Sequence, residues 1–497
     1  MSDKHHVAAG DAATAQAAQI VLESGGNAYD GAVAAMFTAM VAEPTLTSAG
    51  GGGHLMACPA EGRPVLFDFF VDMPGGQLQE ENFFPVEVDF GTATQEFHIG
   101  TGSAAVPGNI AGLLHVQKHM GRMSYREVLT PAIEAARNGI TITECQAAIV
   151  HILAPIFTHD PQAEALLAPN GQLLRGGDQI RMPALADFLE ALATEGANLF
   201  YKGMAQKVEE WSDGHIRAVD MEQYKVHERI PLKTQFAGHT VLLNPSPAAS
   251  GLLMDFTLSL LNECPHVGPN EFARAFSLTN EVRQRYFCNV PDDKNPFILK
   301  SSMDEYQTAF RNGSVVTGKP ESASRGATTH ISVLDGAGNA ASVTTTNGES
   351  CGVMLPDVGF MLNNMLGEED LNPEGFHTHE PGTRLPSMMA PSVALRDGRP
   401  ALVTGSGGSN RIRSALVQII ARHLSNGEKL EEATSAPRIH LEGDALHAEP
   451  GLNPKELAGP WEVKTWDEQN VFFGGAHSVT SGEAAGDARR GGSAIIF

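Results

Sequence analysis

Two helices are predicted close to the start of the chain from the spacing of its apolar residues. Residues 12–22 are alanine-rich and apolar at helical intervals, and the serine and glycines that follow are typical of a helix end. Residues 32–41 are almost entirely apolar, which predicts a second helix ending near Glu43. The glycine run 50–53 then indicates a place where backbones pack closely.

A hairpin and further helices are predicted in the following part of the chain. Residues 54–57 and 65–70 have the pattern of short strands joined by a turn that contains proline and glycine. We expect one helix over 107–121 and another over 124–138, the latter capped by a serine. From 145 to 320 the pattern is mostly helical.

The last third of the chain has the pattern of strands. Residues 331–333 and 341–343 alternate around a glycine-rich turn, which predicts a second hairpin. A strand at 401–404 leads through another glycine-rich turn into a helix over 411–424. We therefore expect an α+β fold with a largely helical first two thirds and a strand-rich C-terminal third, joined by a polar loop at 311–327.

Composition and charge narrow the possible functions. The 497 residues are 42% apolar and 19% charged, which allows a large buried core. With 34 lysines and arginines against 58 acids, the net charge of −24 argues against a nucleic-acid partner. We find no bilayer-length apolar run and no signal peptide, and the five cysteines are scattered. These features predict a cytoplasmic protein with reduced thiols and no membrane partner.

Several common catalytic and cofactor motifs are absent. The chain has no Gly-x-Ser-x-Gly elbow, no Gly-x-x-x-x-Gly-Lys-Ser/Thr phosphate loop and no His-Glu-x-x-His zinc motif. The sequence therefore predicts neither a metal nor an organic cofactor.

The strongest candidates for chemistry are two threonines where the polar loop meets the strands of the last third. Thr328 and Thr329 could simply open a strand, as threonine often does. Their context favours a functional role, because the threonines at 344–346 return beside them one hairpin arm later. Gly407 and Gly408 lie between a strand and a helix, where backbone amides can bind an anion.

Short stretches in a fixed order give the chain a resemblance to a known family. They are residues 22–30, 48–53, 107–112, 328–330, 335–339, 362–364, 384–391, 404–408 and 487–491. In these stretches the protein resembles the gamma-glutamyltransferase family of N-terminal-nucleophile hydrolases. The resemblance implies a four-layer αββα fold and self-cleavage between Ala327 and Thr328. A large segment, 1–327, and a small segment, 328–497, would form one domain and stay together as a heterodimer.

The resemblance also implies roles for individual residues. Thr328 is the nucleophile, Thr346 assists it, and Gly407 and Gly408 stabilise the oxyanion. The freed α-amine of Thr328 has an ordinary pKa of about 7.7–8.0, so it can accept the hydroxyl proton near neutral pH. The acyl group of a small amide substrate then passes from the enzyme to water or to an amine. Members of the family need no metal and no cofactor.

Some residues that contact the donor depart from the family pattern. Phe70 stands where the family carries the arginine that binds the donor carboxylate, and a phenyl ring cannot replace a guanidinium group. The family's serine pair is Ser387 and Met388 here, which removes one hydroxyl. Phe70 therefore either lines a rebuilt, more apolar acyl pocket or packs in the core.

Other departures lie in the loops after Thr346. The family's asparagine two positions after this threonine is Gly348, with Asn347 beside it. The acid that binds the donor α-amine corresponds to Glu368 or Glu369. One residue is also missing before the oxyanion glycines, which could shift their backbone register by one.

Three functions remain open from the sequence. The first is a self-processing threonine-nucleophile amide hydrolase or acyl transferase that cleaves a gamma-glutamyl-like amide. The second is a cytosolic amidohydrolase or acylase with the same chemistry and another acyl donor, as the loss of arginine at Phe70 suggests. The third is an unprocessed, inactive member kept as a binding protein.

Overall fold

Two stacked β-sheets with helices on both outer faces form the centre of the molecule. The computed structural model describes residues 4–89, 94–287, 295–316, 327–372 and 375–497. The order from one outer face to the other is helices, sheet, sheet, helices, which is the predicted α+β arrangement in four layers.

The strands are numbered in chain order over the described residues. The first ten are β1 (His6–Ala9), β2 (Gly52–Cys58), β3 (Val65–Phe69), β4 (Phe84–Asp89), β5 (Thr94–Ile99), β6 (Ile140–Thr141), β7 (Gln179–Ile180), β8 (His227–Arg229), β9 (Leu232–Phe236) and β10 (His239–Leu243). The others are β11 (Thr329–Leu334), β12 (Ala340–Thr346), β13 (Ser392–Arg396), β14 (Arg399–Gly407), β15 (Ile439–Glu442), β16 (Ala445–Ala448), β17 (Glu462–Thr465), β18 (Gly475–Val479), β19 (Ala484–Ala485) and β20 (Ser493–Ile496).

The α-helices follow the same numbering. They are α1 (Ala12–Glu23), α2 (Ala28–Ala42), α3 (Asn109–Met120), α4 (Tyr125–Asn138), α5 (Glu144–Ile152), α6 (Ala154–Phe157), α7 (Pro161–Leu167), α8 (Pro183–Glu195), α9 (Ala205–Trp211), α10 (Ala218–Gln223), α11 (Ala249–Leu261), α12 (Pro269–Val282), α13 (Asn295–Arg311), α14 (Arg411–Leu424) and α15 (Leu430–Ser435).

The two central sheets are antiparallel and share a buried interface. The first has the strand order β20-β1-β11-β12-β2-β3-β8, and the second has the order β19-β18-β14-β13-β10-β9. Apolar side chains from both sheets, among them Met56, Leu334, Val393, Val403 and Val479, form one buried cluster. Their burial fixes which face of each strand points to the partner sheet, and hence the pairing register.

Each outer helix layer covers one sheet. Helix α2 is apolar around its whole circumference and is buried at every residue, because it packs between the first sheet and the other helices. Asn27 caps this helix, and Asp30 completes the capping box. Helices α11 and α14 cover the second sheet in the same way.

The structure confirms most of the predicted elements. The first two helices, the two hairpins and the helix at 411–424 are all present, and the helix at 124–138 is capped by Ser124 as expected. The glycine run packs tightly: a Cβ atom on Gly51 would lie 2.2 Å from the Thr346 carbonyl oxygen.

The first two thirds of the chain also supply strands that the sequence pattern did not indicate. Ten of the described strands lie there, of which only β2 and β3 were predicted; β1, β2, β3, β8, β9 and β10 join the two central sheets, and β4–β5 and β6–β7 form separate pairs. Strands β9 and β10 are joined by Ala237 and Gly238, which both have positive φ, as the tightest hairpin turns require. Strand β1 has only four residues, and its pairing with β11 and β20 makes it a strand.

Candidate active site

Thr328 and Thr346 meet at one end of the first central sheet. Thr328 directly precedes β11, and Thr346 is the last residue of the neighbouring strand β12. The Thr346 hydroxyl donates a hydrogen bond to the carbonyl oxygen of Ala327. The Gly348 N–H in turn donates to the Thr346 hydroxyl oxygen at 3.0 Å. The predicted assisting threonine therefore contacts the carbonyl of the peptide bond that precedes Thr328.

Gly407 and Arg490 lie against the carbonyl oxygen of Thr328. Gly407 ends β14 opposite Gly475, and a Cβ atom there would lie 2.1 Å from that oxygen. Arg490 donates to the same oxygen from Nη1 at 3.2 Å. Gly408 follows with φ of +123°, a conformation that favours glycine. The close approach of the second sheet to Thr328 thus depends on the absence of a side chain at Gly407.

The histidine of the Thr-Thr-His motif has a structural role. His330 is fully buried between the sheets, and its two ring nitrogens pair with Thr344 at 2.8 Å and Ser332 at 2.9 Å. Burial holds the pKa of His330 well below its ordinary value, so the ring is neutral. A Cβ atom on Gly405 would lie 2.3 Å from this ring, which explains the glycine in β14.

A buried acid, Glu43, lies behind the threonine pair. The Thr329 hydroxyl donates to Glu43 Oε2 at 2.6 Å, and Thr14 donates to Oε1 at 3.0 Å. Burial, together with the charge of Asp11, raises the pKa of Glu43 to about 8. At neutral pH this carboxyl group is therefore mostly protonated, and it anchors the residue next to Thr328.

Replacing Glu43 by glutamine should change how stability depends on pH. The pKa of Glu43 is raised in the folded protein, so its favourable contribution is full below about pH 4.5 and is lost as the pH rises to about 8. Glu43→Gln keeps the size and both threonine contacts but does not ionise. Between pH 4.5 and pH 8 we expect the free energy of unfolding of the variant to rise relative to that of the wild type by a few kcal/mol, because each unit of pKa shift corresponds to about 1.4 kcal/mol.

Melting curves of both proteins at a series of pH values would measure this gain. Asp178→Asn, at an acid whose side chain caps an exposed turn, serves as the control. If the difference in melting temperature between the wild type and Glu43→Gln stays constant from pH 4.5 to pH 8, the raised pKa of Glu43 is contradicted.

The described ranges contain neither a cluster of metal ligands nor a helix that could span a membrane. No group of three or more histidine, cysteine or acidic residues is placed to hold a metal ion in them. The helices of those ranges are too short or too polar to cross a membrane. Cys58, Cys145, Cys264 and Cys351 are free thiols, and Cys288 lies outside the described residues.

The sequence matches one family of known proteins over almost its whole length. The family model described as gamma-glutamyltranspeptidase matches residues 14–497. The chain belongs to this family. It is therefore an enzyme, an amidohydrolase or acyltransferase of the N-terminal-nucleophile type.

Individual relatives carry two kinds of name. The glutathione hydrolase proenzyme of Bacillus subtilis is 27% identical, over 94% of this chain and 88% of its own length. The acylase ACY 1 proenzyme of a Pseudomonas species is 29% identical, over 90% of this chain and 84% of its own. The crystal structure of a cephalosporin acylase from Bacillus halodurans superimposes with a TM-score of 0.84 at 20% identity, covering 99% and 96% of the two chains, which shows the same fold.

The loop after Thr346 is closely packed at Gly348, where it departs from the gamma-glutamyltranspeptidase pattern. Gly348 has φ of +60°, and a Cβ atom on it would lie 2.1 Å from Asn364 Oδ1 and 2.4 Å from Glu368 Oε1. An asparagine at this position would therefore require the Asn364 and Glu368 side chains to move. Asn347 does not replace it: its side chain is buried and bonded to Ser48 and Ser350.

The two candidate acids for the donor α-amine, Glu368 and Glu369, differ in burial. Glu368 is buried beside Gly348, whereas Glu369 is exposed. A further acid, Glu349, accepts a hydrogen bond from the Ala327 N–H at 3.3 Å. Glu349, which the sequence did not indicate, therefore places a buried carboxyl group beside the residue that precedes Thr328.

Phe70, Ser387 and Met388 are all buried. Phe70 belongs to the apolar core of the second helix layer and stacks on His54 with ring centroids 5.8 Å apart. The Ser387 hydroxyl accepts the N–H of Met389 at 3.1 Å. These contacts give Phe70 and Ser387 packing roles, and a role in donor binding remains a prediction for all three.

A buried ion network holds the segments that contain Phe70 and Ser387. Arg384 pairs with Asp68 at 2.9 Å and with Asp72 at 2.6 Å, and Arg229 pairs with Asp68 at 2.6 Å. Burial opposes ionisation of Asp68, but His54 and the two arginines outweigh it and hold its pKa well below the ordinary value. The network joins the end of β3 to the segment before Ser387.

The sequence alone does not indicate a role for three residues of the site, Glu43, Arg490 and Glu349. Glu43 interrupts an apolar run just before a proline, which is a weak sign of a buried acid. Arg490 is part of an Asp-Ala-Arg-Arg stretch that marks the family, but nothing in the pattern shows which arginine faces Thr328. Glu349 follows Gly348 in a loop and carries no local signal.

Proposed function

We propose that the chain is a self-processing amide hydrolase or acyl transferase whose nucleophile is Thr328. The observation that carries this proposal is the hydrogen bond from the Thr346 hydroxyl to the Ala327 carbonyl oxygen. That bond polarises the carbonyl group next to the proposed nucleophile in the uncut chain. The family's proenzymes are consistent with such a maturation.

The first reaction is an intramolecular acyl shift. The Thr328 hydroxyl oxygen bonds to the carbonyl carbon of Ala327, the carbon–nitrogen bond between the two residues breaks, and the hydroxyl proton ends on the Thr328 nitrogen, which becomes the α-amine. Negative charge develops on the Ala327 oxygen, where the Thr346 hydroxyl, itself held by the Gly348 N–H, stabilises it. Water then hydrolyses the ester, which leaves a carboxylate on Ala327 and a free α-amine on Thr328.

The mature enzyme uses that amine as its base. The amine accepts the Thr328 hydroxyl proton as the oxygen attacks the donor carbonyl, and it returns the proton to the leaving amine. Arg490, bound to the carbonyl oxygen of the same residue, favours the neutral form of the amine because a nearby cation disfavours ammonium. The amides of Gly407 and Gly408 hold the oxyanion, and water or an amine finally takes the acyl group.

The two segments produced by the cut are expected to stay together. Strands β11 and β12 of the segment 328–497 lie between β1 and β2 of the segment 1–327 in one sheet. Separation of the pieces would break this sheet, so the mature form is a heterodimer of its own two chains.

The hydroxyl of Thr346 should control the rate of maturation. Thr346→Val keeps the shape but removes the donor to the Ala327 oxygen, and loss of one such donor slows related reactions about 100- to 1000-fold. Gel analysis of the uncut fraction over time measures the rate, and Thr346→Ser, which keeps a hydroxyl, is the control. Cleavage of Thr346→Val at the wild-type rate would remove Thr346 from the mechanism.

The donor is either a gamma-glutamyl amide or another acyl amide. The family and its glutathione hydrolases support the first. Phe70 in place of the family's arginine, together with the acylase relatives, supports the second. Gamma-glutamyl and glutaryl anilides differ only in the α-ammonium group, so their kcat/KM values decide between the two. A chain that is never cut would instead support an inactive binding protein.

A further inference from the structure

A cavity lies at the end of the two central sheets that is opposite to Thr328. Its volume is about 430 Å³, compared with about 110 Å³ for a smaller cavity beside Ala327 and Arg490. Small-molecule sites in proteins commonly have volumes of about 300–1000 Å³. Thr328 directly precedes β11, whereas Leu334, which ends this strand, lines the larger cavity. At about 3.3 Å per residue of strand, the larger cavity lies about 20 Å from Thr328.

The walls of this larger cavity, the turn cavity, come from turns of both sheets. They are the turns β2–β3, β11–β12, β13–β14 and β18–β19, together with the start of β1. Hydrogen bonds hold these turns in place. The Ala60 N–H donates to Asn339 Oδ1 at 3.0 Å, and the Glu483 N–H donates to the Thr480 hydroxyl oxygen at 2.9 Å. A cavity with walls fixed in this way binds a ligand at a low entropic cost.

Charged side chains of both signs line the turn cavity. Lys4 and Arg399 are cationic, and Glu61 and Asp335 are acidic. The Asp335 carboxylate is already occupied, because it accepts three N–H groups at 2.8–3.0 Å. Arg399 and Glu61 are exposed, and neither forms an ion pair within the described parts of the chain. One guanidinium group and one carboxylate of the wall can therefore pair with charges that a ligand supplies.

A buried imidazole adds hydrogen-bonding capacity to the same wall. His6 lines the turn cavity and is 1% exposed, and its Nδ1 has no hydrogen-bond partner among the described residues. Burial and the charge of Lys4 lower the pKa of His6, so the ring is neutral at pH 7 and offers one donor and one acceptor. A buried polar atom that no protein group satisfies indicates a ligand or a water molecule that does.

We propose that the turn cavity binds a small zwitterion of the amino-acid or dipeptide class, with its carboxylate at Arg399 and its ammonium group at Glu61. The two cationic and two acidic residues of the wall cancel in net charge, so the cavity favours neither a polyanion nor a polycation. A ligand with one charge of each sign matches the two groups that can pair. This site is separate from the one around Thr328 and does not depend on the proposed function.

Dipeptides of one shape test each charge of the ligand separately. L-alanyl-L-alanine carries both charges, N-acetyl-L-alanyl-L-alanine lacks the ammonium group, and L-alanyl-L-alaninamide lacks the carboxylate. Ligand-observed NMR titration of the full-length Thr328→Ala protein, which has no nucleophile to process them, gives each Kd. We expect each modified dipeptide to bind at least about 5-fold more weakly than L-alanyl-L-alanine, because it loses one charge-assisted hydrogen bond.

Variants of exposed residues in the same protein locate the binding. Arg399→Met should weaken L-alanyl-L-alanine at least about 5-fold and leave the amide unchanged, since the amide has no carboxylate to lose. Glu61→Gln should weaken L-alanyl-L-alanine as much and leave the N-acetyl form unchanged. Arg63→Met is the matched control, because Arg63 is an exposed arginine of the β2–β3 turn that does not line the cavity. Equal melting temperatures show that each variant is folded.

The outcomes decide the proposal. Weaker binding of both modified dipeptides, with the expected losses in Arg399→Met and Glu61→Gln, supports it. The proposal is overturned if L-alanyl-L-alanine does not bind, or if the N-acetyl form binds as tightly, which would indicate a simple anion site. It is also overturned if Arg399→Met and Glu61→Gln leave the Kd unchanged, or if Arg63→Met raises it equally. None of these outcomes bears on cleavage at Thr328.

Discussion

Replacing Thr328 by alanine should leave the chain in one piece and abolish amide hydrolysis. The hydroxyl that attacks the Ala327 carbonyl is gone, and the α-amine that would act as base is never released. The contacts that surround the site do not use this hydroxyl: Thr346 still reaches the Ala327 oxygen, and Arg490 still reaches the Thr328 carbonyl. We therefore expect a folded protein whose activity is reduced at least about 10⁴-fold.

Thr328→Ser provides the control for this loss. Serine keeps the hydroxyl and loses only a methyl group, so the variant should still be cut, although at a changed rate. Mass spectrometry of the two variants and donor hydrolysis by the purified proteins measure both effects. Normal cleavage or hydrolysis by Thr328→Ala would show that another residue is the nucleophile.

Replacing Gly407 by alanine should be almost as damaging, for a steric reason. The added Cβ atom would lie 2.1 Å from the Thr328 carbonyl oxygen and 3.1 Å from Arg490 Nη1. Both partners are held, because β14 is paired with β18 at Gly475 and Thr328 leads into β11. We expect a loss of stability of about 1–3 kcal/mol, as for other overpacked sites, and little or no maturation.

A second glycine offers a matched control for this substitution. A Cβ atom on Gly482 would meet no atom within 4 Å, so Gly482→Ala should mature and melt like the wild type. Thermal unfolding gives the stability and gel analysis gives the cut fraction. Full maturation of Gly407→Ala at the wild-type rate would contradict the placement of Gly407 against Thr328.

Helices and strands that carry a regular apolar pattern could be predicted from the sequence. Helix α2 is mostly apolar and is buried at every residue, and the hairpin of β11 and β12 is indicated by alternation around a glycine-rich turn. Strands β1, β9 and β10 could not be predicted with the same ease. They are short, and their state depends on partners hundreds of residues away or on a turn with positive φ.

The candidate site was predictable where a motif carries it and not where long-range contacts do. The pairing of Thr328 with Thr346 follows from the hairpin, and the sheet places them together. Glu43, directly after α2, contacts Thr329, and Arg490, near the end of the chain, contacts Thr328. Such approaches depend on the packing of layers, which a local pattern does not record.

Phe70 illustrates a limit of motif matching. Its position in the motif predicts the donor pocket, but its side chain lies in the core and stacks on His54. The arginines that line the cavity beside Ala327 come from α14 and from the segment after β19. A change at one motif position therefore does not by itself show where the donor's charge is bound.

The mass of the purified wild-type chain, followed during incubation, tests the central claim most directly. The account predicts two pieces, one ending at Ala327 and one beginning with Thr328, whose masses sum to that of the intact chain plus one water. Sequencing of the new N-terminus should begin Thr-Thr-His. A chain that remains whole after prolonged incubation, or one cut at another bond, would contradict the account.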